Sequence, residues 1–342
     1  MPKVLVTGCA GLIGSHLVDA LLTKGYDVVG LDDLSVGRMA NIEENLEHHK
    51  FKFRVADVSD LENVLKCRSL CKKLDAVIHL ASRKKLYETN QESFAIWSNV
   101  QATKYMLEIA RLQRKVGSKM PKTCKFVFAS SSDVYGHGKV RMKETNDLCL
   151  GPSNIKRWGY AVSKLYEEHL CFGYYKDFNV PIIVLRYFGC FGERASLSWS
   201  GGHAMVFIDA LLKNKEIVIH GNGKQTRSMC HVSDIVDGTI KALETPEAVG
   251  EIINLGGKEE MSVLDFAKFA AKVLNKTPQI RFVPFKEVFG DYREILRRVP
   301  DLTKAEKLLG YKPKVSLEEA IKRTAEWIEK QERTSASKFE FS

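Results

Sequence analysis

The sequence predicts an α/β protein in which a doubly wound parallel sheet is followed by a smaller C-terminal lobe. Two observations support this prediction. Short apolar runs rich in β-branched residues alternate with amphipathic helical patterns through the first half of the chain, and a glycine-rich turn joins the first run to the first helical pattern. Apolar strands that alternate with helices form parallel sheets covered on both faces, because each crossover helix packs back onto the sheet.

The first half of the chain contains six expected strands and four expected helices. The strands are Lys3–Thr7, Asp27–Asp32, Phe51–Ala56, Ala76–Leu80, Lys125–Ser130 and Ile182–Arg186. The helices are Leu12–Lys24, Leu61–Lys73, Glu92–Val116 and Trp158–Lys176. Each strand is a short apolar run, and each helix repeats apolar residues every three or four positions, so strands and helices alternate regularly.

After Phe188 this alternation becomes less regular. Shorter strands are expected at Glu216–Ile219, Glu251–Leu255 and Gln279–Val283, and helices at Ala204–Leu212, Ser233–Leu243, Val263–Leu274 and Leu317–Gln331. No linker rich in Pro, Gly and Ser separates the halves, so the second half is expected to be a lobe rather than an independent domain. We therefore divide the chain into residues 1–188, a lobe mainly of residues 189–331, and a polar flexible tail of residues 332–342.

Composition restricts the class of protein. With 342 residues, of which 44% are hydrophobic and 27% charged, the chain can bury a large core. No run approaches the ~18 apolar residues that a membrane span needs. The N-terminal MPKVLVTG also lacks the apolar run and cleavage site of a signal peptide. We therefore expect a soluble cytoplasmic protein with no membrane partner.

The cysteines and the charges argue against a metal site and a nucleic-acid partner. The cysteines are Cys9, Cys67, Cys71, Cys124, Cys149, Cys171, Cys190 and Cys230. They are dispersed and form no C-x-x-C pair, so we expect reduced thiols and no metal. The formal net charge is +10, but Lys and Arg are spread along the chain, often beside Glu, and no basic run is interleaved with aromatic residues. Solvated surfaces explain most of this charge.

The turn after the first strand has the spacing of a dinucleotide-binding loop. It reads Thr7-Gly8-Cys9-Ala10-Gly11-Leu12-Ile13-Gly14. Gly8 permits the sharp turn, Gly11 lets the backbone approach a pyrophosphate, and Gly14 lets helix and strand pack closely. The helix N-terminus, with Leu12 and Ile13 in its first turn, offers N–H groups to the anion.

A carboxylate at the end of the second strand indicates which dinucleotide is bound. Asp32 follows Gly14 by 18 residues, close to the spacing of ~20 at which an acid binds the adenosine ribose. A carboxylate there repels a 2′-phosphate, so NAD is favoured over NADP. Asp33 is a second acid at this strand end, with a solvated position as the alternative. The first half is therefore expected to be a Rossmann-type NAD-binding domain.

Two further motifs suggest catalysis. Tyr160 and Lys164 lie four residues apart in a helical segment, so both side chains face one side of the helix. There the ammonium can stabilise a tyrosinate and lower the pKa of the phenol toward neutrality. The run Ser130–Ser132, followed by Asp133, ends the preceding strand, at the sheet edge where polar side chains meet a substrate.

The G-x-x-G-x-x-G turn and the Tyr-x-x-x-Lys pair resemble the short-chain dehydrogenase/reductase superfamily. The chain is most similar to its extended members that act on nucleotide-diphosphate sugars, the group of UDP-glucose 4-epimerase, dTDP-glucose 4,6-dehydratase and UDP-glucuronate decarboxylase. The resemblance runs from Met1 to about Gln331. It also includes Asp57-Val58, His79-Leu80-Ala81-Ser82, Asn99, Leu185–Phe188, His220–Arg227, Val232-Ser233-Asp234, Arg298–Asp301 and Leu308–Pro313.

The resemblance implies a role for each matching position. Beyond the glycine turn, the residues implied to contact NAD are Asp57, Val58, Leu80, Ala81, Ser82, Lys84, Asn99, Tyr160 and Lys164. For Lys84, implied to reach a cofactor phosphate, a solvated position is the alternative. Ser131 would hydrogen-bond the sugar 4-hydroxyl, Tyr160 would remove its proton, and Lys164 would bind the nicotinamide ribose and adjust the phenol. His79, on an apolar strand, is expected to be a packed core residue.

The substrate would be a nucleotide-diphosphate sugar, most simply a UDP-sugar. Arg227 and Arg298 match the arginines that clamp the diphosphate, with surface ion pairs as the alternative. Gly189 stands where the family usually has an asparagine that touches the diphosphate. Trp199 lies in a stretch, Ala195–His203, that varies with substrate, and either stacks on a base or sugar or packs within the lobe.

The residues after Ser131 leave the reaction open. In the 4,6-dehydratases an aspartic acid and a glutamate follow the catalytic hydroxyl, whereas this chain has Ser132 and Asp133, so the first acid is missing. Decarboxylases have Ser then Glu, which Ser132 and Asp133 match except for one methylene. An epimerase needs neither acid, because the 4-ketone has only to turn over and receive the hydride on its other face.

We predict an NAD-dependent nucleotide-diphosphate-sugar 4-epimerase. The alternatives are a nucleotide-uronic-acid decarboxylase, a 4,6-dehydratase of the same family, and a non-catalytic dinucleotide-binding regulator. The resemblance also implies a homodimer formed through the helices Glu92–Val116 and Trp158–Lys176. The apolar residues Ile96, Val100, Met106 and Leu107 could serve that interface, unless they cover the sheet of their own subunit.

Overall fold

The structure of the protein, a computed structural model, describes residues 2–84, 91–113, 124–137, 141–291 and 293–339. Within these ranges the strands are β1 (Lys3–Thr7), β2 (Asp27–Asp32), β3 (Phe51–Val55), β4 (Ala76–His79), β5 (Lys125–Ser131), β6 (Ile182–Tyr187), β7 (Gly189–Phe191), β8 (Ile217–His220), β9 (Thr226–His231), β10 (Ile252–Leu255), β11 (Glu260–Ser262), β12 (Ile280–Val283) and β13 (Arg297–Arg298). The helices are α1 (Leu12–Thr23), α2 (Leu61–Cys67), α3 (Glu92–Arg111), α4 (Gly159–Phe178), α5 (His203–Leu212), α6 (Val232–Glu244), α7 (Val263–Val273), α8 (Phe285–Phe289), α9 (Thr303–Leu309) and α10 (Leu317–Phe339).

Seven parallel strands form the central sheet, in the order β10-β6-β5-β4-β1-β2-β3. The chain runs outward from β1 through β2 to β3 and then returns to the other side of β1 at β4. The predicted doubly wound α/β fold is therefore confirmed. A sheet of this kind binds ligands beyond the carboxyl ends of its strands where the order reverses, here between β1 and β4.

Alternate residues of the sheet enter two separate cores, as the two-residue period of a strand requires. Val4 and Val6 pack into the core that contains α1, α6 and α9. Leu5, between them, packs into the opposite core with residues of α2, α3 and α4. Both faces of the sheet are covered, and its functional groups are therefore exposed at the strand ends.

The second half of the chain adds a lobe with its own core. In this lobe β9 pairs with β7, β11 and β13, while β8 pairs with β12. Helices α5, α7 and α10 share one apolar cluster. The elements not predicted from the sequence are β7, β9, β11, β13, α8 and α9, because these short segments lack the continuous apolar runs by which other short strands were recognised.

Several predicted boundaries were wrong. Helix α2 ends at Cys67 rather than Lys73, because the chain continues from Arg68 as turns that bury Cys71 and reach a positive φ of +58° at Lys73. Helix α10 continues past Gln331 to Phe339, since no glycine or proline interrupts it. The predicted end of the third helix, Val116, lies outside the described residues. The division into a first domain, a lobe and a tail stays a prediction.

No helix among the described residues is both long enough and apolar enough to cross a membrane. In the same part of the chain, no three His, Cys, Asp or Glu side chains gather in a metal-binding group. The eight cysteines are free thiols, and Cys149 is the exposed member of the set.

Candidate active site

A cleft opens at the carboxyl ends of β1 to β4, and we call it the strand-end cleft. Its lining includes most of the predicted cofactor residues: Gly8, Gly11, Asp32, Asp33, Asp57, Val58, Leu80, Ala81, Ser82 and Asn99. Leu12, Ile13 and Gly14 form the first turn of α1, whose N-cap is Gly11. The positive end of the α1 dipole therefore lies at the cleft, where a pyrophosphate can accept hydrogen bonds from the N–H groups of the first turn of α1.

Two glycines of the turn, Gly8 and Gly14, leave no space for a side chain. Gly8 has φ of +69°, and a Cβ there would lie 2.9 Å from the backbone nitrogen of Ala81. A Cβ at Gly14 would lie 2.0 Å from the carbonyl oxygen of Gly8. Because α1 and β1 approach this closely, the turn brings bare backbone to the cleft, as a dinucleotide requires.

Asp32 is fixed at the end of β2 by the backbone on either side of it. Its Oδ2 accepts the N–H of Ala10 in the glycine turn at 2.9 Å, and its Oδ1 accepts the N–H of Leu34 at 2.9 Å. Burial raises the pKa of this carboxyl, while the two N–H groups oppose the shift. A carboxylate held in this place fits the ribose hydroxyls of NAD and repels the additional phosphate of NADP.

Arg83 joins three strand ends across the cleft, and sequence reasoning did not assign it a role. Its Nη2 lies 2.9 Å from an Asp33 oxygen and 3.1 Å from an Asp57 oxygen. Its backbone N–H donates to Asn99 Oδ1 at 2.7 Å. Asp33 and Asp57 thus share a cation at the cleft. A basic residue four positions after β4, with acids just beyond the ends of β2 and β3, was the available signal.

A second cavity lies between the sheet and the lobe, and we call it the lobe cavity. Its lining includes Lys84, Asp133, Arg157, Tyr160, Trp199, His203, His220, Gln225, Arg227, Glu294 and Arg298. Lys84 therefore lines the lobe cavity and is not among the residues that line the strand-end cleft, and its contact with a cofactor phosphate stays a prediction. Burial lowers the pKa of Lys84, and the negative charge of Asp133 opposes this shift.

Tyr160 and Ser131 meet at the edge of the lobe cavity. Ser131 ends β5, and its Oγ accepts the N–H of Asp133 at 3.1 Å. Burial raises the pKa of the Tyr160 phenol, the charges of Asp133 and Glu167 raise it further, and Ser82 and Ser131 act in the opposite direction. The expected lowering of this pKa toward neutrality is therefore wrong for the protein alone, because the phenol is buried beside two carboxylates.

Lys164 is buried beneath the sheet edge and forms an ion pair that the sequence did not predict. Its Nζ lies 3.3 Å from Glu167 Oε2, one helical turn further along α4. The same Nζ lies 4.7 Å from the ring centroid of Phe128. The ammonium that was expected to act on Tyr160 is thus neutralised in part by Glu167.

Asp133 is a buried carboxylate surrounded by cations. Arg157 Nη2 lies 3.0 Å from its Oδ1, and Arg298 forms a shorter ion pair with the same oxygen. Burial opposes ionisation of Asp133, but Arg157, Arg298 and Lys84 outweigh it and hold the pKa of the carboxyl well below its usual range. Sequence reasoning missed Arg157, and its place three residues before Tyr160 was the only signal.

The two predicted clamp arginines lie side by side. Arg227 on β9 and Arg298 on β13 are register partners, so both side chains reach the lobe cavity. Arg227 donates to the carbonyls of Thr226 and Ile295 at 2.8 and 2.9 Å and pairs with Glu294 at 2.9 Å. These contacts preorganise its guanidinium for a bidentate anion.

Aromatic rings form another wall of the lobe cavity. Trp199 stacks on His220 with 4.2 Å between centroids and an angle of 25°, and Phe289 meets His220 edge-on at 5.0 Å. Trp199 also contacts Phe207 in the lobe core. It therefore packs within the lobe and lines the cavity as well, so the two alternatives for this residue are compatible.

Comparison with known proteins identifies the family. The sequence profile described as GDP-mannose 4,6 dehydratase matches residues 5–324. The chain belongs to this family, whose members are NAD-dependent nucleotide-sugar epimerases and dehydratases of the extended short-chain dehydrogenase/reductase group. Its cofactor is NAD, which the glycine turn and Asp32 fit.

Individual relatives carry out two different reactions. A UDP-N-acetyl-α-D-glucosaminuronate decarboxylase of Bacillus cytotoxicus is 33% identical over 328 residues, which cover 95% of this chain and 97% of the relative. UDP-glucuronic acid decarboxylase 1 of Danio rerio is 30% identical over 341 residues, covering 96% and 73%. The structure of UDP-glucuronic acid 4-epimerase from Bacillus cereus, with UDP-glucuronic acid and NAD, is 32% identical with a TM-score of 0.81 and covers 96% and 99%. The protein is therefore an enzyme of the nucleotide-sugar epimerase and decarboxylase family.

Proposed function

We propose that the protein is an NAD-dependent UDP-sugar 4-epimerase and that its substrate is a UDP-hexuronic acid. The observation that supports the epimerase most directly is the state of Asp133. This carboxylate lies next to Ser131 and Tyr160, and two arginines hold it ionised. An ionised, doubly paired carboxylate is a poor proton donor for a leaving hydroxyl or for a carbanion. An epimerase needs no acid at that place, because Tyr160 can both take and return the proton.

The groups that handle the sugar 4-hydroxyl would be Ser131 and Tyr160. Ser131 would position the hydroxyl, and Tyr160 would remove its proton and later return that proton to the C4 oxygen, whichever face of C4 receives the hydride. NAD, when bound in its oxidised form, supplies the hydride acceptor for C4 and a positively charged ring. Because burial, Asp133 and Glu167 raise the pKa of Tyr160, the phenol needs additional positive charge nearby before it can act as a base at neutral pH.

The charge of the lobe cavity supports a uronic acid. Arg157, Arg298 and Lys84 surround the single carboxylate of Asp133, so this corner carries an excess of positive charge. Arg227 and Arg298 suit a diphosphate, and the positive charges of Arg157, which is paired with Asp133, and of Lys84 suit a second anionic group beside it. The relatives described above act on or bind UDP-linked uronic acids, which have such a group at C6.

A cation beside the substrate carboxylate also favours retention of that carboxylate. Decarboxylation moves the negative charge from the carboxylate into the bond toward the ring. A guanidinium that pairs with the carboxylate stabilises the starting charge and so slows its departure. An epimerase and a decarboxylase would form the same 4-keto acid, and a cation paired with its carboxylate favours the epimerase.

Decarboxylation of the same substrate is the second candidate. It is favoured by the Bacillus cytotoxicus relative and by the Ser132-Asp133 pair, which matches the decarboxylase pattern except for one methylene. In that reaction Asp133 would have to act after oxidation at C4.

The two reactions differ in the mass of the product. The purified protein should be incubated with UDP-glucuronic acid and NAD, and the product analysed by mass spectrometry and NMR. An unchanged mass with an inverted C4 signal is expected. A product lighter by CO₂ would overturn the epimerase, and faster turnover of UDP-glucose than of UDP-glucuronic acid would overturn the uronic-acid substrate.

A further inference from the structure

We propose that Glu167 is a positioning residue that holds the Lys164 ammonium in place for NAD. Glu167 lies at one end of a buried hydrogen-bonded chain, whose other end is beside the glycine turn. The inference rests on the proposed role of Lys164 at the nicotinamide ribose. It concerns a residue that neither motif includes, since Glu167 lies three positions beyond the Tyr-x-x-x-Lys pair.

The ion pair is enclosed by protein. The side chains of Lys164 and Glu167 are 2% and 0% exposed, and 3.3 Å separates Lys164 Nζ from Glu167 Oε2. An ammonium at this depth is strongly unfavourable without an anionic partner, so its position depends on where the carboxylate lies. Among the described residues, Glu167 Oε1 has no hydrogen-bond partner, so both donors that hold this carboxylate share Oε2.

A chain of hydrogen bonds leads from Glu167 to the strand-end cleft. Thr103 on α3 donates to Glu167 Oε2 at 2.5 Å, and His79 Nε2 lies 3.1 Å from Thr103 Oγ1. His79 Nδ1 lies 2.7 Å from Thr7 Oγ1, which accepts the N–H of Ala81 at 3.2 Å. The hydrogen-bonded chain thus links Thr7, the last residue of β1 and the residue before Gly8, with helix α4, which carries Tyr160 and Lys164.

The chemistry of the two ends fixes the direction of these bonds. An ionised Glu167 can only accept, so the single hydroxyl proton of Thr103 goes to it. His79 must then donate from Nε2 to Thr103. Burial and the Lys164 charge lower the pKa of His79 to about 3, so the ring is neutral and its Nδ1 accepts from the hydroxyl of Thr7. Each side chain in the hydrogen-bonded chain therefore has one orientation. Lys164 is held at the end of the hydrogen-bonded chain.

Glu167 differs in its role from the adjacent Glu168. Glu168 accepts from Arg186 at 2.9 and 2.7 Å and from Ser130 at 2.5 Å, which ties α4 to β5 and β6. Glu167 contacts Lys164 and Thr103 and lines neither cavity. It therefore acts on the cofactor through Lys164, whereas Glu168 stabilises the packing of the helix and serves as a matched control.

The test measures NAD affinity by calorimetric titration, after removal of any nucleotide that copurifies, and needs no sugar substrate. Glu167→Gln should weaken NAD binding about tenfold, because it leaves the Lys164 ammonium without an anion. Glu168→Gln should lower the melting temperature but leave NAD affinity within twofold of the unmodified protein. In a Lys164→Met background, Glu167→Gln should cause no further loss of affinity and should recover part of the melting temperature.

Thr103→Val tests the hydrogen-bonded chain without changing a charge. It should weaken NAD binding several-fold, whereas Thr324→Val, which removes a buried hydroxyl bonded within α10, should not. The proposal is overturned if folded Glu167→Gln binds NAD like the unmodified protein, or if its effect adds fully to that of Lys164→Met. If Glu167→Gln does not fold, unchanged affinity in Thr103→Val overturns the proposal instead. Failure of the unmodified protein to bind NAD would contradict the proposed function itself.

Discussion

The Tyr160 phenol lies among carboxylates that oppose its ionisation, those of Asp133 and Glu167, and hydroxyls that favour it, those of Ser82 and Ser131. Removing the hydroxyl with Tyr160→Phe keeps the half-buried ring at the wall of the lobe cavity, so fold and NAD affinity should persist. Turnover should fall by ~10²- to 10⁴-fold, since the C4 hydride cannot leave while the hydroxyl keeps its proton. Rates with UDP-glucuronic acid and NAD titrations on the same preparation test this expectation. A rate within a few-fold of the unmodified protein would remove Tyr160 from its role.

Asp133 distinguishes the two candidate reactions because its carboxylate organises Arg157 and Arg298. In an epimerase, Asp133→Asn should act mainly on binding. The arginines lose their anion, KM rises, and kcat is largely retained. In a decarboxylase the same change should lower kcat and let the 4-keto acid accumulate. Steady-state kinetics with UDP-glucuronic acid, combined with mass analysis of the reaction mixture, separates these results.

Between β1, β4 and α3, the neutral state of His79 makes stability depend on pH. The pKa of His79 is lowered to about 3, against 6.5 for an unperturbed histidine, so on acidification the unfolded chain binds the proton first. The free energy of unfolding should therefore fall below about pH 6.5, by about 1.4 kcal/mol per pH unit from this group alone. Denaturant titrations between about pH 5 and 6.5 avoid most carboxylate protonation. His79→Gln, which cannot titrate, should reduce the slope, and an equal slope in both proteins would refute the assignment.

Elements and site residues were predictable from the sequence where the information is local. The turn from β1 to α1, the acid at the end of β2 and the Tyr160–Lys164 spacing each lie within one segment. In the structure the turn and Asp32 line the strand-end cleft, Tyr160 lines the lobe cavity, and Lys164 is buried on the same helix. Arg157 and Glu167 could not be recognised, because their partners depend on how helices and strands pack. The same limit applies to Lys84, whose place in the lining of the lobe cavity depends on how the lobe packs against the sheet.

Across the whole molecule, the positive charge is less uniform than the sequence suggests. Lys84, Arg157, Arg227 and Arg298 meet at the lobe cavity, opposed there by Asp133 and Glu294. Four cations against two carboxylates leave an excess of two positive charges in a partly enclosed space. Part of the net charge of +10 thus serves an anionic small molecule, and the solvated surfaces account for the remainder.

The homodimer stays a prediction, and the structure changes which side chains would form its interface. Met106 and Leu107, two of the four residues suggested for the interface, are buried in the core of their own subunit and cannot serve it. The exposed apolar residues of α3 and α4 are instead Phe94, Trp97, Val162, Tyr166, Tyr175 and Phe178. Because α3 packs beside α4, Trp97 on α3 and Val162 and Tyr166, one helical turn apart on α4, give the helix pair an apolar outer surface.

We expect this surface to pair with its copy in a second subunit. Light scattering at micromolar concentration should then give twice the chain mass of 38.6 kDa. Trp97→Glu, at a side chain that is 62% exposed, should shift the mass to that of one chain, because it places a charge within the apolar contact. Leu296→Glu changes a still more exposed apolar residue of the lobe and should leave the dimer intact. A single-chain mass for the unmodified protein would contradict the dimer, and a dimer that survives Trp97→Glu would locate it on another surface.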